Sequence, residues 1–138
     1  MPSIGLKYVE IRNSEVWARR DEDWLQLESW QPNNAMDFEV FYYLGIGPLS
    51  SNDTSEFHFV VLSNKNYEEM PQEDRRALRT RWKFYVVERY DWVAICIEIN
   101  RRISICDRGN WADSLAELRQ QFSWEFENYN KPAPPEMH

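Results

Sequence analysis

The run Phe38-Glu39-Val40-Phe41-Tyr42-Tyr43-Leu44-Gly45-Ile46 constrains the fold more than any other part of the chain. Successive side chains of a strand point to opposite faces. Phe38, Val40, Tyr42, Leu44 and Ile46 therefore share one face, and Glu39, Phe41 and Tyr43 the other. Gly47-Pro48-Leu49-Ser50-Ser51-Asn52-Asp53-Thr54-Ser55 is a loop by composition. Beyond it Phe57, Phe59 and Val61 alternate with His58, Val60 and Leu62. A strand returning after so short a connection pairs antiparallel with its predecessor. The expectation is a hairpin whose long polar tip is rimmed by Asp53 and Glu56.

Elements on either side can be placed around this hairpin. Leu6 to Ile11 is a short β-rich run and the expected first strand. Asn13 to Asn34 lacks clean periodicity and reads as an irregular cover whose rings, Trp17, Trp24 and Trp30, dock on the core. Pro71 followed by Glu73 and Asp74 predicts helical turns over Gln72–Thr80, and Lys83–Glu88 reads as the next strand. Asp91–Cys106 fits two patterns. Val93, Ile95, Ile97 and Ile99 alternate as in a strand, whereas Trp92, Ile95, Cys96, Ile99, Ile103 and Cys106 follow helical spacing. In the helical pattern Asp91 is an N-cap and Asn100-Arg101-Arg102 lies on the opposite, polar face. Asn110 caps a further helix to about Gln121, with Trp111, Leu115, Leu118 and Phe122 as its apolar stripe. Trp124 to Tyr129 alternates aromatic and polar residues, as a strand or an extended cover would. The expected core is Phe38, Val40, Tyr42, Leu44, Phe57, Phe59, Val61, Val86, Leu115, Leu118 and Phe122, within one domain over 1–130. Lys131-Pro132-Ala133-Pro134-Pro135 marks 131–138 as an extended, disordered tail.

The chemistry on offer is narrow. The 138 residues include two histidines, two cysteines and four glycines. His58 sits mid-strand and His138 ends the tail. Cys96 and Cys106 have no metal-binding spacing and read as small core residues, and a Cys–His nucleophile would need one of them to meet His58. Gly45-Ile46-Gly47 lacks the third glycine of a dinucleotide fingerprint. No cofactor is expected. The carboxylate pairs Asp21/Asp23, Glu68/Glu69, Glu73/Asp74 and Glu125/Glu127 suit acid–base chemistry in principle, but pairs of this kind are ordinarily solvated surface charge. No apolar run approaches the ~20 residues that span a bilayer, and the amino-terminal residues show no secretory pattern. A reduced, cytoplasmic, non-enzymatic protein without a membrane partner is the expectation.

Charge points in the same direction. The chain carries 23 acidic and 16 basic residues, a net of −7. Nucleic-acid affinity rests on phosphate neutralisation, so nucleic acid is a poor partner. Residues 31–74 hold eight acids and one base, while residues 75–108 hold four acids and nine bases. The acidic excess is thus concentrated before Arg75, Arg76, Arg79, Arg81 and Lys83. Twenty-one aromatic residues supply a surplus of rings beside acids, as in Asp21-Glu22-Asp23-Trp24, Tyr67-Glu68-Glu69 and Trp124-Glu125-Phe126-Glu127. Such a composition suits protein recognition, with rings for affinity and charge for steering. The expected partner-binding residues are Tyr67, Glu68, Glu69, Glu73 and Asp74, with Asp53 and Glu56 at the hairpin tip as a second set. The competing reading is that these are solvated charges paired with Arg75, Arg76 and Arg79.

The order of several segments resembles the immunity protein 8 family of bacterial toxin systems. They are Trp30-Gln31-Pro32, Phe38-Glu39-Val40 leading to Leu44-Gly45-Ile46-Gly47-Pro48, Phe57-His58-Phe59-Val60-Val61, and Val86-Val87-Glu88-Arg89-Tyr90-Asp91 with Trp92. The closing run Trp111-Ala112-Asp113, Leu118 and Phe122-Ser123-Trp124-Glu125-Phe126-Glu127-Asn128-Tyr129 carries the likeness furthest. The similarity covers about residues 25–130; Glu68–Arg81 and the amino-terminal Trp-rich segment depart from it. It implies an α+β fold, an antiparallel sheet of about four strands with two C-terminal helices packed on it, the first opening at Tyr90-Asp91. It also implies an intracellular protein that binds and neutralises a cognate toxin, often a basic nuclease of a contact-dependent or related secretion system. A small carboxylate-pair hydrolase and a structural or regulatory subunit of an assembly are the alternatives from other classes.

Overall fold

The computed structural model describes residues 4–13, 15, 17–19, 28–48 and 54–124. In chain order its elements are β1 (Leu6–Arg12), β2 (Trp17–Arg19), β3 (Glu39–Pro48), β4 (Ser55–Ser63), α1 (Asn64–Glu69) and α2 (Gln72–Arg81). Then come β5 (Phe84–Val87), α3 (Trp92–Ser104), α4 (Trp111–Gln121) and β6 (Ser123–Trp124). The sheet runs β2-β1-β3-β4-β5, and β6 also pairs with β4. The α+β class and the two C-terminal helices agree with expectation, and the sheet is larger than the four strands anticipated. The hairpin is present, with β3 and β4 antiparallel from Glu39↔Leu62 to Ile46↔Ser55.

Two differences have simple causes. Trp17–Arg19 lies inside the segment expected to be irregular, yet it pairs with Glu10–Arg12 of β1; three residues are too few to show a period. The β4–β5 pairing, Val60↔Phe84 to Ser63↔Val87, is parallel. Parallel strands need a crossover, usually helical, and α1 and α2 supply it.

That crossover leaves both faces of the hairpin covered. Val40, Tyr42, Leu44, Ile46, Phe57, Phe59 and Val61 pack with Ile95, Ile99 and Ile103 of α3, Leu118 of α4, and Phe122. Across the sheet Phe41, Val60 and Leu62 meet Leu78 of α2 and Trp82. Val86 belongs to this smaller cluster and is half-buried, as is Leu115 at the edge of the larger one. The rest of the expected core is buried.

Asp91–Cys106 resolves as a helix. The Asp91 carboxylate accepts from the Ala94 N–H at 3.3 Å, which satisfies one of the orphan donors of the first turn. Ile95, Ile99 and Ile103 are buried, while Val93 and Ile97, which a strand would have placed beside Ile95 and Ile99, are 66% and 64% exposed. Asn110 caps α4 as expected, accepting from Asp113 N–H at 2.9 Å. Between the two helices Gly109 adopts φ 84°, the left-handed region that glycine enters freely. Asp107 ties that turn to the start of β1: Oδ1 accepts from Ile4 and Gly109 N–H, and Oδ2 from Gly5 N–H.

Arg102 departs from its expected place on the polar face. Its side chain is 15% exposed, its guanidinium lies 4.6 Å above the Phe59 ring, and it donates to the Gln121 and Phe84 carbonyls. A long side chain at a helix flank buries its stem while its head seeks acceptors, so helical position alone understates its burial. β6 returns the chain to β4 through Phe57↔Trp124 and His58↔Ser123. Trp124 packs on the core with Arg119 4.7 Å over its ring. Trp24, Phe126, Tyr129 and the 131–138 tail lie outside the described residues.

Candidate partner-binding surface

The expected binding residues fall in two places. Tyr67, Glu68 and Glu69 end α1, and Glu73 and Asp74 open α2 after the two-residue link Met70-Pro71. Glu56 sits at the other end of β4, seven residues before Ser63, roughly 23 Å away at ~3.3 Å per residue. The structure therefore gathers the 67–74 set and separates it from Glu56; Asp53 lies outside the described residues.

The chemical states of the two sets differ. Glu56 is engaged: Oε1 accepts from Arg12 at 2.9 Å and Oε2 lies 3.4 Å from His58 Nε2. Glu68, Glu69 and Glu73 are exposed and Asp74 is half-buried. Among the described residues no ion pair links these four acids to Arg75, Arg76 or Arg79. One reason is geometric, since Arg75 turns onto the Tyr67 ring, 5.8 Å from its centroid. The Tyr67 ring also stacks against Phe84, with centroids 5.8 Å apart. The acids present open negative charge at the start of α2, where the helix dipole favours it.

Beside this edge, on the same sheet face as α2, lies a groove of about 490 Å³ lined by Arg12, Glu15, Trp30, Glu39, Phe41 and Tyr43 among others. Three separate segments build it, which is why no local pattern announced it; the one available signal was a carboxylate set among the rings of Phe38–Tyr43. Burial, and then the nearby Asp74, hold the Glu39 carboxyl above the usual range. A second concavity of about 690 Å³ separates the Glu28–Gln31 segment from the outer face of α3 and includes the exposed Val93 and Ile97.

The nucleophile possibility fails on placement. His58 faces Phe41, Tyr43 and Trp82, on the α2 side of the sheet, whereas Cys106 is in the opposite cluster. Cys96 lies with it, its Sγ 3.3 Å from Tyr8 Oη. Burial pushes the Cys106 thiol up to about 11, which suppresses the thiolate that reacts. The expectation of two core cysteines holds for Cys106, while Cys96 is only half-buried. Among the described residues no three His, Cys, Asp or Glu side chains converge as metal ligands, and no helix is long and apolar enough to cross a membrane.

Helix pairs pack on both faces of the sheet, and the described residues present surface charge and a ring-lined groove, the parts a recognition surface needs. More specifically, residues 10–129 match the model of the immunity protein 8 family, and the chain belongs to that family of toxin immunity proteins. Neither the search of curated proteins nor that of solved structures returned a match.

Proposed function

We propose that this protein is a non-enzymatic, cytoplasmic inhibitor that binds one cognate toxin stoichiometrically, the toxin being a basic nuclease delivered by a contact-dependent or related secretion system. The observation that carries the partner's chemistry is the set of carboxylates Glu68, Glu69, Glu73 and Asp74 across the α1–α2 link, which form no ion pair among the described residues. A nuclease must attract a phosphate backbone and is accordingly basic. An acidic surface meets such a protein with complementary potential, which raises the association rate and fixes the partner. Tyr67 adds an aromatic edge beside the charges.

Co-expression with the toxin encoded beside this gene tests the function: growth is restored with that toxin and not with unrelated ones. Absence of rescue, or of a complex between the purified proteins, refutes it. Reversing Glu68, Glu69, Glu73 and Asp74 together tests the surface. The expected result is weaker binding and a shallower salt dependence, because rim charges act chiefly on association. Unchanged affinity and salt slope eliminate this edge.

A further inference from the structure

The 490 Å³ groove carries charge that the fold does not use. Of its ionisable side chains, Arg12 is committed to Glu56 at 2.9 Å and lies 4.5 Å over the Tyr43 ring. Glu15 Oε2 accepts from Trp30 Nε1 at 3.0 Å. Glu39 differs, since its Oε2 is buried with no hydrogen-bond partner among the described residues. A buried carboxylate oxygen without a donor is costly. Asp74 of α2 adds to that cost, because its negative charge acts on Glu39 through space. Nothing in the packing of β3 requires an acid here: Glu39 opens the strand, and its neighbours Val40 and Phe41 supply the buried area.

We infer that this groove receives an arginine side chain of the bound toxin, whose guanidinium pairs with Glu39 and stacks on the rings lining the groove. The inference rests on the functional reading above and adds the contact that gives it specificity. The groove lies within the ~300–1,000 Å³ range of pockets that enclose a small group. Guanidinium suits it better than ammonium, because it is planar, forks onto carboxylates and stacks on aromatic faces. Arg12 on Tyr43 already shows that chemistry in the same groove. Asp74 links Glu39 to the acidic edge of α2, so one basic partner spans both.

Titration with Nα-acetyl-arginine amide, compared with its neutral citrulline counterpart, tests the groove without any toxin. Expected are saturable shifts of the Trp30 indole N–H and the Glu39–Tyr43 amides with arginine alone. Glu39→Gln weakens that binding at least ~10-fold while its thermal midpoint stays at or above that of the wild type. No saturable shift, an equal response to citrulline, or full binding by Glu39→Gln overturns the inference. With the toxin, Glu39→Gln is expected to lower affinity at least ~10-fold. A folded Glu39→Gln variant that binds toxin as tightly as wild type overturns the assignment of the occupant. Failure of the wild type to bind toxin at all refutes the functional reading instead, and leaves the arginine titration to judge the groove.

Discussion

Replacing Arg102 by Met keeps an unbranched stem over Phe59 and removes only the guanidinium. The loss can be worked contact by contact. Arg102 Nε donates to Glu98 Oε2 at 2.7 Å between side chains that are 15% and 14% exposed, a charge-assisted bond worth ~1.5–3 kcal/mol. The Gln121 carbonyl, 3.0 Å away, loses a donor at the end of α4, which costs about 1 kcal/mol. The ring contact with Phe59 at 4.6 Å contributes ~0.5–1 kcal/mol. Arg101 still holds Glu98 through a fork of 2.9 and 2.8 Å, and the Met thioether regains some packing. The net expectation is a loss of roughly 2–4 kcal/mol, a drop of roughly 8–16 °C in midpoint for a domain of this size. Urea unfolding of the wild type, Arg102→Met, Glu98→Gln and the double variant gives the pair coupling directly.

The same variant has a pH signature. The Arg101 hydrogen bonds first, and the Arg102 bond after them, hold the Glu98 carboxyl down at about 2 instead of 4.5. A depressed carboxylate stabilises the fold above its unfolded value and loses that contribution as pH falls toward its folded one. The gap between wild type and Arg102→Met therefore narrows between about pH 5 and pH 2. In the variant Glu98 titrates higher, short of its free value because Arg101 remains. A loss below ~1 kcal/mol, or zero coupling between Arg102 and Glu98, refutes this account of how α3 is anchored.

Other expectations are simpler. Leu118→Ala at a fully buried position costs ~2–5 kcal/mol in urea unfolding; unchanged stability contradicts the packing of α4. Asp107→Ala frees the N–H groups of Ile4, Gly5 and Gly109, at a cost of ~2 kcal/mol, and hydrogen exchange at Leu6–Tyr8 accelerates if the clamp holds β1 in place. Cys106, buried and with its thiol raised to about 11, reacts with a thiol reagent only as fast as the protein opens; rapid labelling in native buffer contradicts its burial.

What the sequence disclosed follows from the range over which each pattern acts. The hairpin was legible because alternation in Phe38–Ile46 and Phe57–Leu62 is local and faces a helix layer. Its second buried face was harder to see, since Val60 and Leu62 looked like the outward set until α2 supplied Leu78. In Asp91–Cys106 β-branched residues gave a strand-like signal; the capping carboxylate of Asp91 and the fate of Val93 and Ile97 decide for the helix. The acids of α1 and α2 were visible as composition, and their freedom from Arg75, Arg76 and Arg79 was not, because ring contacts redirect Arg75. Glu39 escaped notice for a related reason. Its meaning depends on Arg12, Trp30 and Asp74, none of them near it in sequence.

The division of the outer edge of β4 bears on how the chain is made. β5 takes Val60–Ser63, and β6 takes Phe57 and His58. The Ser123 hydroxyl accepts from the Lys83 N–H at 2.8 Å where the two meet. During translation β5 emerges soon after β4, but β6 cannot form until both C-terminal helices have left the ribosome. Through that interval the first half of β4 keeps unpaired peptide groups along that edge, the kind of exposed edge that recruits other chains. The pairing of β6, rather than the first collapse, closes that edge.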